Sequence, residues 1–121
     1  MAIKDFRDLN IWKRGIKLVQ KIYEITNAFP KEEIYVLTSQ LRRVAISIPS
    51  NIAEGFARFH NNEYRQFLFI ALGSGAEAIT QLTIAVNLNY LTKEHANVVS
   101  DEIDQISKMI MSLIKKLNRK D

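Results

Sequence analysis

Residues 40–55, QLRRVAISIPSNIAEG, constrain the fold more than any other part of the chain. The apolar residues have the spacing of a helix that packs in a core, and polar residues follow one side in steps of three or four. The polar side chains of this stripe are Gln40, Arg43, Ser47, Asn51 and Glu54. Such a stripe is costly on a tightly packed helix unless each group has a partner. Pro49 lacks an amide hydrogen, so we expect it to kink this helix or to split it, with Ser50 capping the second piece.

Four helical segments account for nearly the whole chain. The apolar periodicity predicts helices at about 8–27, 33–57, 62–91 and 93–118, within a single domain spanning 1–121. We expect Asp8 and Thr92 to cap the first and fourth helices. No sustained alternation and no Asn-Gly or Asp-Gly pair signals a β-hairpin. Because the connections are short, neighbouring helices should be antiparallel, and the predicted fold is an all-α, up-down four-helix bundle.

The third predicted helix is apolar nearly all round, with Glu77 as its only charge between Gln66 and Leu91. Its length would suffice to cross a membrane, but Ser74, Thr80 and other polar residues interrupt it. We therefore expect a buried helix of a soluble protein. A helix in a bundle of only four should keep one wet face, so the excess apolar surface predicts that identical copies cover it.

Composition limits the function classes. The net charge of +4 favours acidic partners only mildly, and the absence of cysteine excludes disulfides and thiolate metal sites. No apolar signal-peptide core begins the chain, so we expect a cytoplasmic protein. His60 and His95 lack the spacing of a metal pair, and neither Ser47 nor Ser50 has a histidine within helical reach. We expect no catalytic residue, metal or cofactor, and hence no enzyme.

The polar stripe allows two interpretations. It is either an interior or subunit-interface network, in which Arg43 pairs with Glu54 or Glu77, or a phosphate site built on Arg42 and Arg43. The network would consist of Gln40, Arg43, Ser47, Asn51, Glu54 and Glu77. We favour a division in which Arg43 points inward and Arg42 lies nearer solvent.

A basic stripe on the first helix is the better candidate for contact with nucleic acid. Lys13, Lys17 and Lys21 stand one helical turn apart, with Arg14 beside them. With Arg42 they form the candidate nucleic-acid-binding set, although a solvated face would have the same composition. In an oligomer, weak phosphate contacts repeated on one particle gain affinity by avidity without reading sequence.

The run Gln40-x-Arg42-Arg43-x-x-x-Ser47-Ile48-x-x-Asn51-Ile52-Ala53-Glu54-Gly55 resembles the signature of the bacterial four-helix-bundle family, the 23S rRNA intervening-sequence proteins. The resemblance extends from Phe6 to Leu117 and includes Trp12, Phe29-Pro30 and Asn89-Tyr90-Leu91. It implies a homopentameric barrel of four-helix bundles. It also implies likeness to the accessory protein of diversity-generating retroelements, a basic pentamer that binds nucleic acid and reverse transcriptase.

Two function hypotheses follow from the residues and the resemblance. The first is a non-enzymatic homopentamer that binds RNA or DNA through basic surface residues without strong sequence specificity. The alternative is a protein-binding scaffold or adaptor, for example a reverse-transcriptase accessory, with no direct nucleic-acid role. Neither hypothesis involves a membrane.

Overall fold

The protein is a bundle of four α-helices, described over residues 3–119 by a computed structural model. The helices are α1 (Asn10–Thr26), α2 (Leu37–Phe56), α3 (Asn61–Asn87) and α4 (Lys93–Arg119), and 3-10 turns occupy Phe6–Asp8 and Lys31–Glu33. Each helix packs against the next along the chain, and α4 returns to pack against α1. No strand occurs in residues 3–119. The predicted all-α four-helix fold is thus confirmed; residues 1, 2, 120 and 121 of the predicted domain lie outside the described part.

The core is built from lines of buried side chains at steps of three and four. On α2 the line is Leu41, Val44, Ile48 and Ile52, and on α4 it is Val99, Ile103, Ile106 and Ile110. Each fully buried aliphatic side chain of this size stabilises the fold by about 1.5–3 kcal/mol. These are the positions at which the sequence periodicity places the inner faces of α2 and α4.

Pro49 lies inside α2 without dividing it. The helix runs unbroken from Leu37 to Phe56, so of the two predicted alternatives, a kink or a split, the split with Ser50 as a cap is wrong. Pro49 is buried against α1, where a Cβ added to Gly15 would lie 3.1 Å from the Pro49 Cβ. The glycine therefore lets α1 approach the proline closely.

The first turns of α1 and α2 begin later than the sequence predicts. Asp8 lies in the first 3-10 turn, and Leu9 precedes α1 without a side-chain cap. Glu33 ends the second 3-10 turn instead of starting α2. Its carboxylate accepts the Leu37 amide at 3.4 Å and the Tyr90 hydroxyl at 2.8 Å. Glu33, predicted to lie inside α2, thus caps the helix from the preceding turn and links its start to the α3–α4 connection.

Helix α3 ends at Asn87, four residues before its predicted end. Asn89 adopts the left-handed conformation with φ 65°. The Asn89 amide donates to the Val86 carbonyl, and the Tyr90 amide to the Ala85 carbonyl, both at 2.9 Å. This is a Schellman motif with asparagine in the place glycine usually takes, and it closes the helix. Thr92 then caps α4 as predicted, since its hydroxyl accepts the His95 amide at 3.2 Å.

Helix α3 has one buried face and one exposed face, both largely apolar. It is the one helix in residues 3–119 that is long and apolar enough to cross a membrane, but Leu68 and Leu82 pack fully into the bundle core. The exposed residues between Phe69 and Ile84 are here called the outer α3 face: Phe69, Ile70, Gly73, Ala76, Glu77, Thr80, Thr83 and Ile84. A Cβ added at Gly73 would have no atom within 4 Å. One chain therefore leaves much of the apolar surface of this helix exposed.

Two tyrosines near the helix ends differ in how their hydroxyls are satisfied. The Tyr64 ring packs edge-on against Phe56 with 5.9 Å between centroids, and its hydroxyl is buried with no hydrogen-bond partner in the described chain. Burial raises the pKa of Tyr64 to about 12. The Tyr90 hydroxyl instead donates to Glu33, and this bond raises the pKa of Tyr90. The unpaired hydroxyl of Tyr64 weakens the fold, whereas the paired one of Tyr90 stabilises it.

Matched Tyr→Phe substitutions test this difference. We expect Tyr64→Phe to raise the free energy of unfolding at pH 7 by about 1 kcal/mol, because it removes a buried unpaired hydroxyl. Tyr90→Phe should lower the free energy of unfolding.

The folded protein also holds the Tyr64 proton more tightly than the unfolded chain, where tyrosine titrates near pH ~10. The stability that wild type has below pH ~10 should fall as the pH rises toward 12, and this part of the fall should be missing in Tyr64→Phe. Urea unfolding across this range measures both effects; a destabilised Tyr64→Phe variant would contradict the assignment.

Candidate nucleic-acid interface

Three lysines of α1 form an exposed line, here called the lysine ridge: Lys13, Lys17 and Lys21. Lys13 and Lys17 project away from the buried face of α1. Lys21 lies nearer α4, where it lines a cavity with His95. Successive lysines are about 6 Å apart along the axis, since four residues make a little over one turn. Among the described residues no carboxylate lies within 4 Å of Lys13 or Lys17, and Lys21 has only Glu24 at 3.9 Å. The ridge therefore presents ammonium groups that are available to an anionic partner.

Arg14, predicted as part of the same basic stripe, is occupied by an acid of α4. Its Nε donates to Glu102 Oε2 at 2.9 Å and its Nη2 to Glu102 Oε1 at 2.7 Å. This two-bond pairing raises the pKa of Arg14, mainly through the hydrogen bonds to Glu102. Such fork-to-carboxylate geometry positions both partners. Arg14 thus joins α1 to α4, and its planar fork is not free for phosphate.

The two adjacent arginines of α2 have roles opposite to those predicted. Arg42 donates from Nε to Thr26 Oγ1 at 2.9 Å and from Nη2 to Asn27 Oδ1 at 3.2 Å, and it lies 4.5 Å from the Tyr23 ring centroid. It therefore fastens the end of α1 to α2. Arg43 is exposed and makes no hydrogen bond or ion pair within residues 3–119. The expectation that Arg43 points inward and Arg42 outward is wrong for the single chain.

The reason lies in the position of each arginine around α2. Leu41 and Val44 face the core. Successive residues are rotated by 100° about the helix axis, so the Arg42 side chain projects from the side of α2 that packs against α1. Arg43, a further 100° on, points away from the bundle.

The polar stripe forms a smaller network than predicted. The Ser47 and Ser74 hydroxyls lie 2.6 Å apart between α2 and α3, and Asn51 Nδ2 donates to the Ser47 carbonyl at 2.7 Å and to its hydroxyl at 2.9 Å. Ser74 is a member that the sequence interpretation did not include. The four other predicted members, Gln40, Arg43, Glu54 and Glu77, are exposed.

The predicted ion pairs of Arg43 with Glu54 and Glu77 are not formed within one chain. Glu54 instead pairs with Arg58, which lies just beyond the end of α2, at 3.3 Å. These charges project outward because the core side of α2 is filled by aliphatic residues, which leaves no space for a buried ion pair. A network between copies stays a prediction.

The sequence interpretation missed an exposed apolar cluster in the α1–α2 connection. Ile34, Tyr35 and Val36 are all exposed, and Tyr35 is the extreme at 91%. They lie in the turn before α2, although the sequence interpretation placed them inside the helix. The signal available in the sequence was the run of four large apolar residues at 34–37. A helix that directs Ile34 and Leu37 inward leaves Tyr35 and Val36 exposed.

The groups that the candidate interface offers to a ligand are cations and aromatic rings. Across residues 3–119, no three His, Asp or Glu side chains come together in the arrangement of a metal site. The ridge and the exposed Arg43 supply positive charge, and Tyr35 supplies a free aromatic face. This combination suits backbone phosphates and unpaired bases.

Comparison with known proteins identifies relatives of the fold. The family described as 23S rRNA-intervening sequence protein matches residues 7–112. A crystal structure of a protein of unknown function from the S23 ribosomal protein family of Bacteroides thetaiotaomicron superposes with a TM-score of 0.77 at 22% identity, covering 87% of this chain and 98% of that one. At this identity the likeness shows the shared fold. A comparison with curated proteins gives no significant match.

Arg42→Ala and Arg43→Ala form a matched pair that tests the assigned roles. Both remove one positive charge from neighbouring exposed or half-buried positions of α2. We expect Arg42→Ala to accelerate amide hydrogen exchange in the last turn of α1 by about 5- to 30-fold, because it removes the bonds to Thr26 and Asn27, worth about 1–2 kcal/mol. Arg43→Ala should leave exchange there unchanged. Equal acceleration by the two variants would refute the assignment.

Proposed function

Because the chain belongs to the 23S rRNA-intervening sequence protein family, we propose that it acts as a non-enzymatic homo-oligomer, a pentamer by family resemblance, that binds the backbone of RNA or DNA. The single observation that carries the binding proposal is the lysine ridge, in which Lys13 and Lys17 have no carboxylate within 4 Å among residues 3–119. Arg14 and Arg42 serve the fold, so the ridge is the part of the predicted basic set left free for a ligand.

Assembly is supported by the chemistry of the outer α3 face. Phe69, Ile70 and Ile84 are each about half exposed. The hydroxyls of Thr80 and Thr83 donate to carbonyls of their own helix, each at 2.9 Å. Covering this face would therefore bury apolar surface without leaving those hydroxyls unpaired. Glu77 is its one charge and would require a cation of the neighbouring copy.

Gly73 adds a second argument for assembly. A glycine inside a helix costs about 1 kcal/mol relative to alanine, and nothing in the described chain needs the space around this one. The absence of a side chain at Gly73 would allow the backbone of another copy to approach α3 closely at this point.

Assembly amplifies a weak phosphate-binding surface. Each copy carries a formal charge of +4, so a pentamer carries five times that charge on one particle. Ridges on several copies can contact one nucleic-acid chain together, and the second contact forms at high effective concentration. Lysine ammonium groups on phosphates carry no sequence information, so the expected binding is sequence-independent. The competing function is a protein scaffold, for which the exposed apolar surface alone would suffice.

Gly73→Arg tests assembly apart from folding. The single chain has room for the larger side chain, and arginine is a better helix former than glycine, so we expect the helical circular dichroism to be retained. The bulky charge should prevent close approach of another copy and reduce the particle to one chain. Gln105→Arg, at an exposed position of α4, adds the same charge and should assemble as wild type does. If Gly73→Arg assembles normally in light scattering, the outer α3 face is not the contact.

The binding proposal is tested by salt titration of the ridge. We expect replacement of Lys13, Lys17 and Lys21 by glutamine to weaken binding to both a single-stranded RNA and a DNA duplex. The slope of log K against log salt concentration should fall by about 2–3, at roughly 0.7–0.9 per lost phosphate contact. The control replaces Lys93, Lys108 and Lys115, which carry the same charge on α4. If wild type binds no nucleic acid at low salt, the binding proposal fails and the scaffold function stands; if both triple variants lose slope equally, the ridge is not the contact.

A further inference from the structure

The groove between α1 and α2 has the lining of a single-strand binding site. At the end nearest the α1–α2 connection lies a cavity of about 450 Å³, with Tyr23 and Tyr35 in its wall. Its only charged lining residues are Arg42 and Arg43, and no acid lines it. A wall of aromatic rings and cations without an acid is complementary to a ligand that has flat rings and negative charge.

The groove continues along α1 beside the lysine ridge. A second cavity of about 340 Å³ shares Ile46 with the first and extends to Trp12. Its α1 wall includes Ile16 and Gln20. Lys13 is three positions before Ile16, and Lys17 is three positions before Gln20, so each lysine neighbours a lining residue on the helix surface. Lys13 and Lys17 therefore stand along the α1 rim of the groove, whereas Lys21 lines a cavity on the other side of α1.

Within the groove, the rings of Tyr23 and Tyr35 differ in what they can still bind. The Tyr23 face is covered by the Arg42 guanidinium, which is itself held by Thr26 and Asn27. Tyr35 is 91% exposed and makes no ring contact or hydrogen bond within residues 3–119. Thus Arg42 and Tyr23 are already engaged with each other in the groove, and Tyr35 offers a free aromatic face at its edge.

We propose that this groove binds a single-stranded segment of RNA or DNA, with a base stacked on Tyr35 and the phosphates directed at Lys13, Lys17 and Arg43. The inference rests on the proposed nucleic-acid binding and adds the form of the ligand. A duplex keeps its bases paired and stacked inside, so it can offer this surface only its phosphates. A single strand offers both phosphates and ring faces, and stacking on an aromatic side chain tolerates any base.

A second copy of the chain is the competing occupant, since Ile34 and Val36 add apolar surface beside Tyr35. The nucleic acid is favoured because the lining is charged with one sign only. If the outer α3 face of a second copy filled the groove, Glu77 would be the only acid of that face available to pair with Arg42 and Arg43. Particle mass separates the two occupants.

The test compares Tyr35→Ala with Tyr35→Phe, using a 15-nucleotide oligothymidine and a 15-base-pair duplex at one salt concentration. We expect Tyr35→Ala to weaken oligothymidine binding by about 5- to 150-fold, equivalent to the 1–3 kcal/mol of one stacked base. Its duplex affinity should stay within about twofold of wild type, and Tyr35→Phe should bind both ligands as wild type does. Tyr35 is almost fully exposed, so neither variant should alter folding, which circular dichroism verifies.

The outcomes separate this inference from the proposed function. If wild type binds both ligands and Tyr35→Ala changes neither affinity, the stacking site is refuted and backbone binding by the ridge stands. If Tyr35→Ala lowers the particle mass, the groove is a contact between copies and the inference is again overturned. If wild type binds neither ligand, the proposed function and the inference fail together.

Discussion

The structure depends on one imbalance: α3 is apolar around most of its circumference, and the bundle of four helices buries only part of that surface. Leu68, Ala71, Ala78 and Leu82 face α2 and α4 and form part of a continuous core. Phe69, Ile70 and Ile84 face outward. A half-exposed side chain of this size stabilises a complex by roughly 1 kcal/mol when it is covered, and several act together in each copy. This surface underlies the proposed assembly, and assembly makes weak, charge-driven contacts sufficient for binding.

The bundle itself divides its cations between structure and surface. Arg14 and Arg42 each bridge two elements, one through the Glu102 carboxylate and the other through the end of α1. Arginine suits such positions because its planar fork makes several directed bonds at once. The lysines of α1 make no comparable contacts and remain hydrated point charges. The chemical difference between the two side chains therefore separates the residues that hold the helices together from those proposed to meet phosphate.

Periodicity predicted the helices and their inner faces because apolar burial repeats every three or four residues, as at Leu41, Val44 and Ile48. It could not predict the start of α2, because the Glu33 carboxylate that accepts the Leu37 amide is held by the Tyr90 hydroxyl, 57 positions away in the chain. It also grouped Gln40, Arg43, Ser47 and Asn51 on one side of α2. Periodicity within α2 does not show which helix packs beside that stripe. The sequence interpretation therefore assigned the roles of Arg42 and Arg43 the wrong way round. Tyr35 was missed because it follows a 3-10 turn that no apolar repeat marks.

Native mass measurement of the wild-type chain at micromolar concentration tests most directly whether one bundle can exist alone with this surface uncovered. The account predicts a discrete particle whose mass is a multiple of the 14.0 kDa chain, five-fold if the family resemblance holds for assembly. A homogeneous species of 14.0 kDa that stays soluble at that concentration would contradict it.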